Sequence, residues 1–302
     1  MKIEFTVVVC VVHLFYLTQL WCQALELNMM PDAFDDQYIC CEEEMEREMV
    51  KVLAEERKYQ QFNVMWEKAT KNWNREKLNL PTSFKDEYGV AVVLYTMEGP
   101  YPIYKQLNNN ISIAGTSRDY YMNNFHFKAL HFYLTRALQE LRQGCAKRFT
   151  TYRGTKLDYK VSSELRFGQF ASSSQHKNIA QFFGTTTFFT ISTCFGVDID
   201  ALSAFEEQEV LIPISEKFRN IKKDGNSYTL ESTGELCSYF NCAYLGGEKR
   251  KDPVCNSGSN SLKVTGEKLK NPVCNSGLIL YSGSRLFFSV ALVLNVAILL
   301  LH

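Results

Sequence analysis

The sequence predicts an α+β fold, helical in its first half and β-rich in its second. Two observations predict it. From Cys41 to about Glu76, and again from Tyr120 to Gly144, apolar residues recur at three- and four-residue spacing. After Gly144 the chain turns to short β-branched and aromatic segments separated by turn residues. Helices followed by strands, rather than alternating with them, are the order of an α+β domain. At 302 residues the chain has room for one large domain or two small ones. Lys+Arg and Asp+Glu both number 33, and this balance argues against nucleic acid as a partner.

Residues 1–24 read as a secretory signal peptide. Lys2 precedes an apolar run from Phe5 to Leu17, and Cys22-x-Ala24 offers small residues for cleavage. The run falls short of the roughly 20 residues a membrane span needs. The folded domain is expected over 25–247. Its first segment, with Met45, Met49, Val52, Leu53, Phe62, Met65 and Trp66 at helical spacing, predicts two helices. "NLPTSFKDEYG" breaks them. "VAVVLYT", Val90–Thr96, fits either a strand or a buried helix; its β-branched content favours a strand and its length does not decide. Tyr120–Gly144 predicts one amphipathic helix through Phe127, Leu130, Leu134, Ala137, Leu138 and Leu141, with Gly144 as its C-cap. His126 and His131 on it read as packing or capping residues. Strands are then expected at "RFTTYRG", "LRFGQFASSS", "TTTFFTISTCFGV" and "EVLIPI".

Residues 248–277 are polar and contain a near repeat, "KDPVCNSGS" and "KNPVCNSGL", 19 residues apart, which reads as a stalk. Residues 278–302 end in a 16-residue apolar run, Leu286–Leu301, behind the small residues Asn275, Ser276 and Gly277. This is the pattern of a glycosylphosphatidylinositol (GPI) attachment signal; Ser282-Gly283-Ser284 is a second candidate for the site. A spanning helix is normally longer and carries a basic flank.

Ten cysteines are present; Cys10 lies in the signal and Cys22 at its edge. The other eight, Cys40, Cys41, Cys145, Cys194, Cys237, Cys242, Cys255 and Cys274, suit disulfides in an oxidising compartment. No CxxC occurs and the mature chain holds only His126, His131 and His176, so no metal is expected. Asn110-Ile111-Ser112 is an N-glycosylation sequon.

Certain polar residues stand at strand ends: Arg153 before Gly154, Ser172–Ser174 after "GQFA", and Glu207 and Glu209 in "FEEQEVLIP". Alternation along a strand would put Glu207 and Glu209 on one face, where a cation or an oxocarbenium-like carbon could sit. Taken singly, each is a commonplace of protein surfaces. No GxSxG elbow or phosphate-binding glycine loop accompanies them in the mature core.

Together, "YRGT" (Tyr152–Thr155), "RFGQFASSS" (Arg166–Ser174) and "EEQEVLIP" (Glu206–Pro213) resemble the arginine-specific mono-ADP-ribosyltransferases. "AFDDQY", "FHFKALHFYLTRAL", "TCFGV" and "YFNCAYL" extend the resemblance to the vertebrate GPI-anchored ecto-enzymes of that family, from about Pro31 to Leu245. It implies a helical N-terminal part packed on a β-sandwich core with an NAD cleft. The co-substrate would be NAD, with NADP as its phosphorylated form, and no metal. The acceptors would be arginine-bearing extracellular or cell-surface proteins. The protein would sit on the outer face of the plasma membrane through a lipid anchor, or be released from it. By the same resemblance Arg153 contacts a phosphate or ribose of NAD, Gly154 lets the backbone approach the nicotinamide amide, and Ser172 orients Glu209. Glu209 binds the nicotinamide ribose and stabilises the transition state, while Glu207 binds the acceptor guanidinium and takes its proton. Tyr95, Gln169 and Ser203 stand where further NAD contacts are expected. The resemblance pairs Cys145 with Cys194 and Cys41 with Cys242, leaving Cys40 and Cys237 for an additional bridge or a swapped pairing. Two other readings share these motifs: an NAD glycohydrolase, with water as acceptor, and a catalytically silent surface module.

Overall fold

A computed structural model of the protein describes residues 24–75, 78–203 and 208–257. The expected signal peptide, the second copy of the repeat, the GPI signal and Glu207 lie outside these residues. The first half is helical. α1 (Glu42–Glu56) and α2 (Gln60–Asn72) are the two expected helices, and each buries the predicted stripe: Met45 and Met49, then Phe62, Met65, Trp66 and Ala69.

The segment that favoured a strand is a helix, α3 (Asp86–Thr96), in which every residue from Tyr88 to Tyr95 is buried. A helix enclosed on all sides shows no polar face, so its periodicity disappears and only its β-branched composition remains visible. α4 (Ile103–Ala114) follows. The single helix expected over Tyr120–Gly144 is two, α5 (Arg118–Asn124) and α6 (Lys128–Leu141). Phe125 and Phe127, both buried, form the corner between them, so the apolar spacing runs on across a break in the backbone. Ser117 caps α5 by accepting from the Tyr120 N–H, while Gly144 starts a short 3-10 turn after α6.

The second half builds one nine-stranded sheet. Its strands are β2 (Phe149–Thr155), β4 (Glu164–Leu165), β5 (Ala171–Ser174), β6 (Thr187–Thr193), β7 (Val197–Asp198), β8 (Glu209–Ile212), β9 (Glu216–Asp224), β10 (Ser227–Ser238) and β11 (Val254–Ser257). The order is β4-β9-β10-β6-β2-β5-β8-β7, with β11 added on β10. Only β6 and β10 run parallel; the other neighbours are antiparallel. β1 (Leu25–Leu27) and β3 (Tyr159–Val161) form a separate parallel pair. Leu165 and Phe218 from one end of the sheet share an apolar cluster with Ala171 and Ile212 from the other. The sheet therefore curls over its own core, as a sandwich does. A larger cluster joins the helices to the sheet through Phe170, Val197, Leu211 and Ile214. One helix, α7 (Lys177–Phe182), lies within the β half.

The "AFDDQY" segment locks the two ends of the domain. Asp35 accepts from the Tyr239 and Phe240 N–H groups and pairs with Arg166, both side chains being fully enclosed. Asp36 accepts from the N–H groups of Tyr38, Cys242 and Ala243 at 2.7–2.9 Å. A buried carboxylate is tolerable only when paired and hydrogen-bonded in this way.

Disulfides join Cys41 to Cys242 and Cys145 to Cys194, as the resemblance implied. The expected Cys40–Cys237 bridge is not formed. Cys237 pairs with Cys255, directly opposite it across β10 and β11. Cys40 is also disulfide-bonded. Within the polar stretch expected to begin a stalk at residue 248, Val254–Ser257 form a strand that extends the backbone ladder of β10.

Candidate active site

Three adjacent strands bring the predicted polar residues together. Tyr152 of β2 faces Ser174 of β5, and Ser174 faces Glu209 of β8. Arg153 therefore lies beside β5, where its Nη1 donates to the Ser172 carbonyl at 2.6 Å. Glu209 opens β8 and is 6% exposed. Tyr95, Arg153, Gly154, Ser172 and Glu209 all line one open cleft of about 280 Å³ between the helices and the sheet.

Backbone packing, and not a turn, demands glycine at position 154. A Cβ there would lie 2.2 Å from the Gly184 carbonyl oxygen and 2.3 Å from that of Ala180. The C-terminal end of α7 thus rests directly on β2, and forms part of the cleft wall through Ala180 and Phe183.

Tyr95 reaches the cleft from α3, yet is only 3% exposed. Its hydroxyl donates to the Phe170 carbonyl at 3.0 Å and accepts from Asn108 Nδ2 at 3.1 Å. It also lies within hydrogen-bonding reach of the Ser172 side chain. Burial pushes the phenol up to about 12, so it stays protonated and keeps its donor.

The entrance to β8 differs from the expected geometry. Gln208 has φ 48°, a left-handed conformation uncommon for a residue with a side chain. The turn is held by the Gln208 N–H donating to Asp200 Oδ1 at 2.7 Å, and by the Gln175 N–H donating to the Gln208 carbonyl at 3.1 Å. Regular strand geometry begins only at Glu209. Strand alternation therefore cannot be the reason for any common face shared with Glu207.

Gln169 and Ser203 are not among the described residues lining the cleft. Ser203 sits on the loop after β7, its N–H donating to the Ile199 carbonyl at 2.7 Å. Asn108 and Phe183 do line the cleft and were not anticipated. The signal for Asn108 was faint: a polar residue on the apolar Ile103–Leu107–Ile111 stripe of α4. Among the described residues, Glu235, Cys237 and Cys255 form the one cluster of metal-ligating types, and both its thiols are spent in a disulfide. No helix of the described residues is long and apolar enough to cross a membrane.

The family model of NAD:arginine ADP-ribosyltransferase matches residues 27–238. Ecto-ADP-ribosyltransferase 5 of Rattus norvegicus is 46% identical over 246 residues, covering 76% of this chain and 80% of that protein. The erythroblast NAD(P)(+)--arginine ADP-ribosyltransferase of Gallus gallus is 39% identical over 240 residues, 76% of this chain and 79% of its own. Among solved structures, a mutant of the eukaryotic mono-ADP-ribosyltransferase ART2.2 in complex with NADH superposes with a TM-score of 0.67 at 37% identity. That match covers 73% of this chain and 99% of the other. A second ART2.2 mutant, in complex with NAD, gives a TM-score of 0.66 at 37% identity with the same coverage. With the motifs, the fold and the cleft in agreement, the chain is a member of the NAD:arginine ADP-ribosyltransferase family.

Proposed function

We propose that the cleft holds NAD through Arg153, Gly154, Ser172 and Glu209, and passes its ADP-ribose to an arginine side chain of an extracellular protein. The observation that carries this reading is the convergence of those four residues, from three neighbouring strands, on a single cleft. Breaking the bond between ribose C1 and the nicotinamide nitrogen releases neutral nicotinamide and leaves positive charge on the ribose. The largely buried Glu209 carboxylate stabilises that charge in a setting poor in competing water. Arg153, tied to the β5 backbone, presents a fixed cation to the diphosphate. The acceptor guanidinium is protonated and a poor nucleophile until a base removes a proton as it attacks. Glu207 takes that proton; its position lies outside the described residues.

The relatives' names support placement at the cell surface, and the sequence signals support secretion and a GPI anchor. The sequon Asn110-Ile111-Ser112 falls on α4, where the Asn110 amide donates to the Gln106 carbonyl at 2.8 Å. A glycan there would have to form before this helix closes.

Labelled NAD and agmatine test the reading. The secreted protein is expected to release nicotinamide and to form ADP-ribosyl-agmatine. Glu209→Gln should abolish both. Glu207→Gln should abolish the agmatine product while nicotinamide release persists. Nicotinamide release by the parent without any agmatine product would make the protein an NAD glycohydrolase instead. Neither activity, from folded and disulfide-bonded protein, would leave a silent surface module.

A further inference from the structure

Among the described residues, Asn108 is the one on the cleft wall with a buried polar atom that has no hydrogen-bond partner. It lies on α4 at 9% exposure, beside Leu107 and on the face that buries Ile103 and Ile111. Its Nδ2 donates to Tyr95 Oη and to the Phe170 carbonyl, both at 3.1 Å. Those partners fix which way the amide faces. The Phe170 oxygen only accepts, and it already receives the Tyr95 hydroxyl proton. Turning the amide over would press one carbonyl oxygen against another. Oδ1 is therefore held in place, screened from bulk solvent and without a protein donor, on a residue that lines the cleft with Tyr95, Ser172 and Glu209.

A buried acceptor left unmet is costly, so such an atom in a binding cleft points to a ligand that meets it. We infer that Asn108 is a further NAD-binding residue: its Oδ1 accepts a hydrogen bond from the bound dinucleotide, while its amide holds Tyr95 and the Phe170 carbonyl in place. This rests on the reading that the cleft holds NAD. The chemistry narrows the partner. At neutral pH the diphosphate of NAD is ionised and has no proton to donate. The donor is then an N–H or O–H of a nucleoside half: a ribose hydroxyl, the adenine amine or the nicotinamide carboxamide. Asn108 thus complements Arg153, which serves the anionic centre of the same molecule.

Glu209 stands opposite Ser174, whereas Asn108 donates to the carbonyl of Phe170, the residue before β5. Asn108 is uncharged and offers the ligand one hydrogen bond, so its loss should weaken binding more than chemistry.

The test uses the secreted protein with NAD and agmatine, and compares the parent, Asn108→Ala and Asn108→Ser. Asn108→Ala is expected to raise both KM and Kd for NAD about tenfold, the size of one lost hydrogen bond. Its kcat should change less than about threefold, and KM for agmatine should hold. If the alanine variant is too unstable to assay, Asn108→Ser should show the same weakening. Unchanged NAD affinity with a lowered melting temperature would reduce Asn108 to a structural residue and overturn the inference. A parent that binds no NAD, or whose affinity is indifferent to Arg153→Ala, would instead bring down the reading of the cleft.

Discussion

Gly154 shows how little freedom a single position near the site retains. The carbonyls of Ala180 and Gly184 occupy the space a side chain would need, and backbone cannot swing aside as a long side chain can. Gly154→Ala is therefore expected to push α7 off β2, to cost about 1–3 kcal/mol of stability, and to lower transfer to agmatine at least tenfold. A thermal melt alongside the transfer assay checks both; parental values in each would show that the contact yields freely. Site residues differ in how openly the sequence announces them. That Arg153, Ser172 and Glu209 would meet at one cleft was legible because each stands in a short motif of the quoted resemblance. Asn108 belongs to no motif. Its significance depends on Tyr95 and Phe170, which lie 13 and 62 residues away and meet it only in the fold.

Elements were legible where one face is wet. α1 and α2 alternate between solvent and core, so their periodicity survives in the sequence. α3 is enclosed on every side, and its Val-rich segment resembles a strand until tertiary packing decides. β11 fails for the opposite reason. "VCNS" is short and mostly exposed, and it becomes a strand because the end of β10, beyond its pairing with β6, offers a free edge and Cys237 a covalent anchor. The bridge joins positions 18 residues apart, a loop whose closure is worth about 3 kcal/mol in chain entropy. Cys255→Ser should accordingly lower the melting temperature by several degrees. Transfer at 25 °C should remain near parental, because β11 supplies no residue to the cleft. Differential scanning calorimetry with an activity assay checks this, and an equal loss of both would tie β11 to the site.

At the scale of the whole molecule, one part of the pH response lies in the helical half, where Glu56 of α1 meets the start of α6. Glu56 Oε1 accepts from the Ala129 N–H at 3.0 Å, while Oε2 is enclosed without a partner. Burial pushes this carboxyl up to about 8 from 4.5, against the pull of backbone donors and of Lys128. His131, in the same core, hydrogen-bonds Tyr38 Oη through Nδ1 at 2.7 Å, and burial brings it down to about 3 from 6.5. The two act in opposite senses. A raised carboxyl stabilises the fold fully below about pH 4.5 and loses that contribution as pH climbs to 8. A depressed histidine contributes fully above about pH 6.5 and loses it toward 3. Between these two groups, the contributions offset from 4.5 to 6.5, and from 6.5 to 8 Glu56 alone of the pair changes. Melting temperature should fall over that upper window, and Glu56→Gln should make the fall shallower. A flat parental profile there would show that Glu56 ionises as readily inside the protein as outside.

The lock between "AFDDQY" and the turn after β10 bears on how such a chain is made. Asp35 and Asp36 find their backbone donors at residues 239–243, and Cys41 its partner 201 residues downstream. A ribosome delivers the N-terminal helices long before any of these partners exists. Until then the nascent chain carries two acids bound for the interior and a cysteine awaiting its mate, which makes it a natural client for chaperones and disulfide isomerases. Closure comes at the end of synthesis, as a ring and not as a growing stack. A stop codon a few residues short of Cys242 would not trim the domain; it would leave its first helices with nothing to close against.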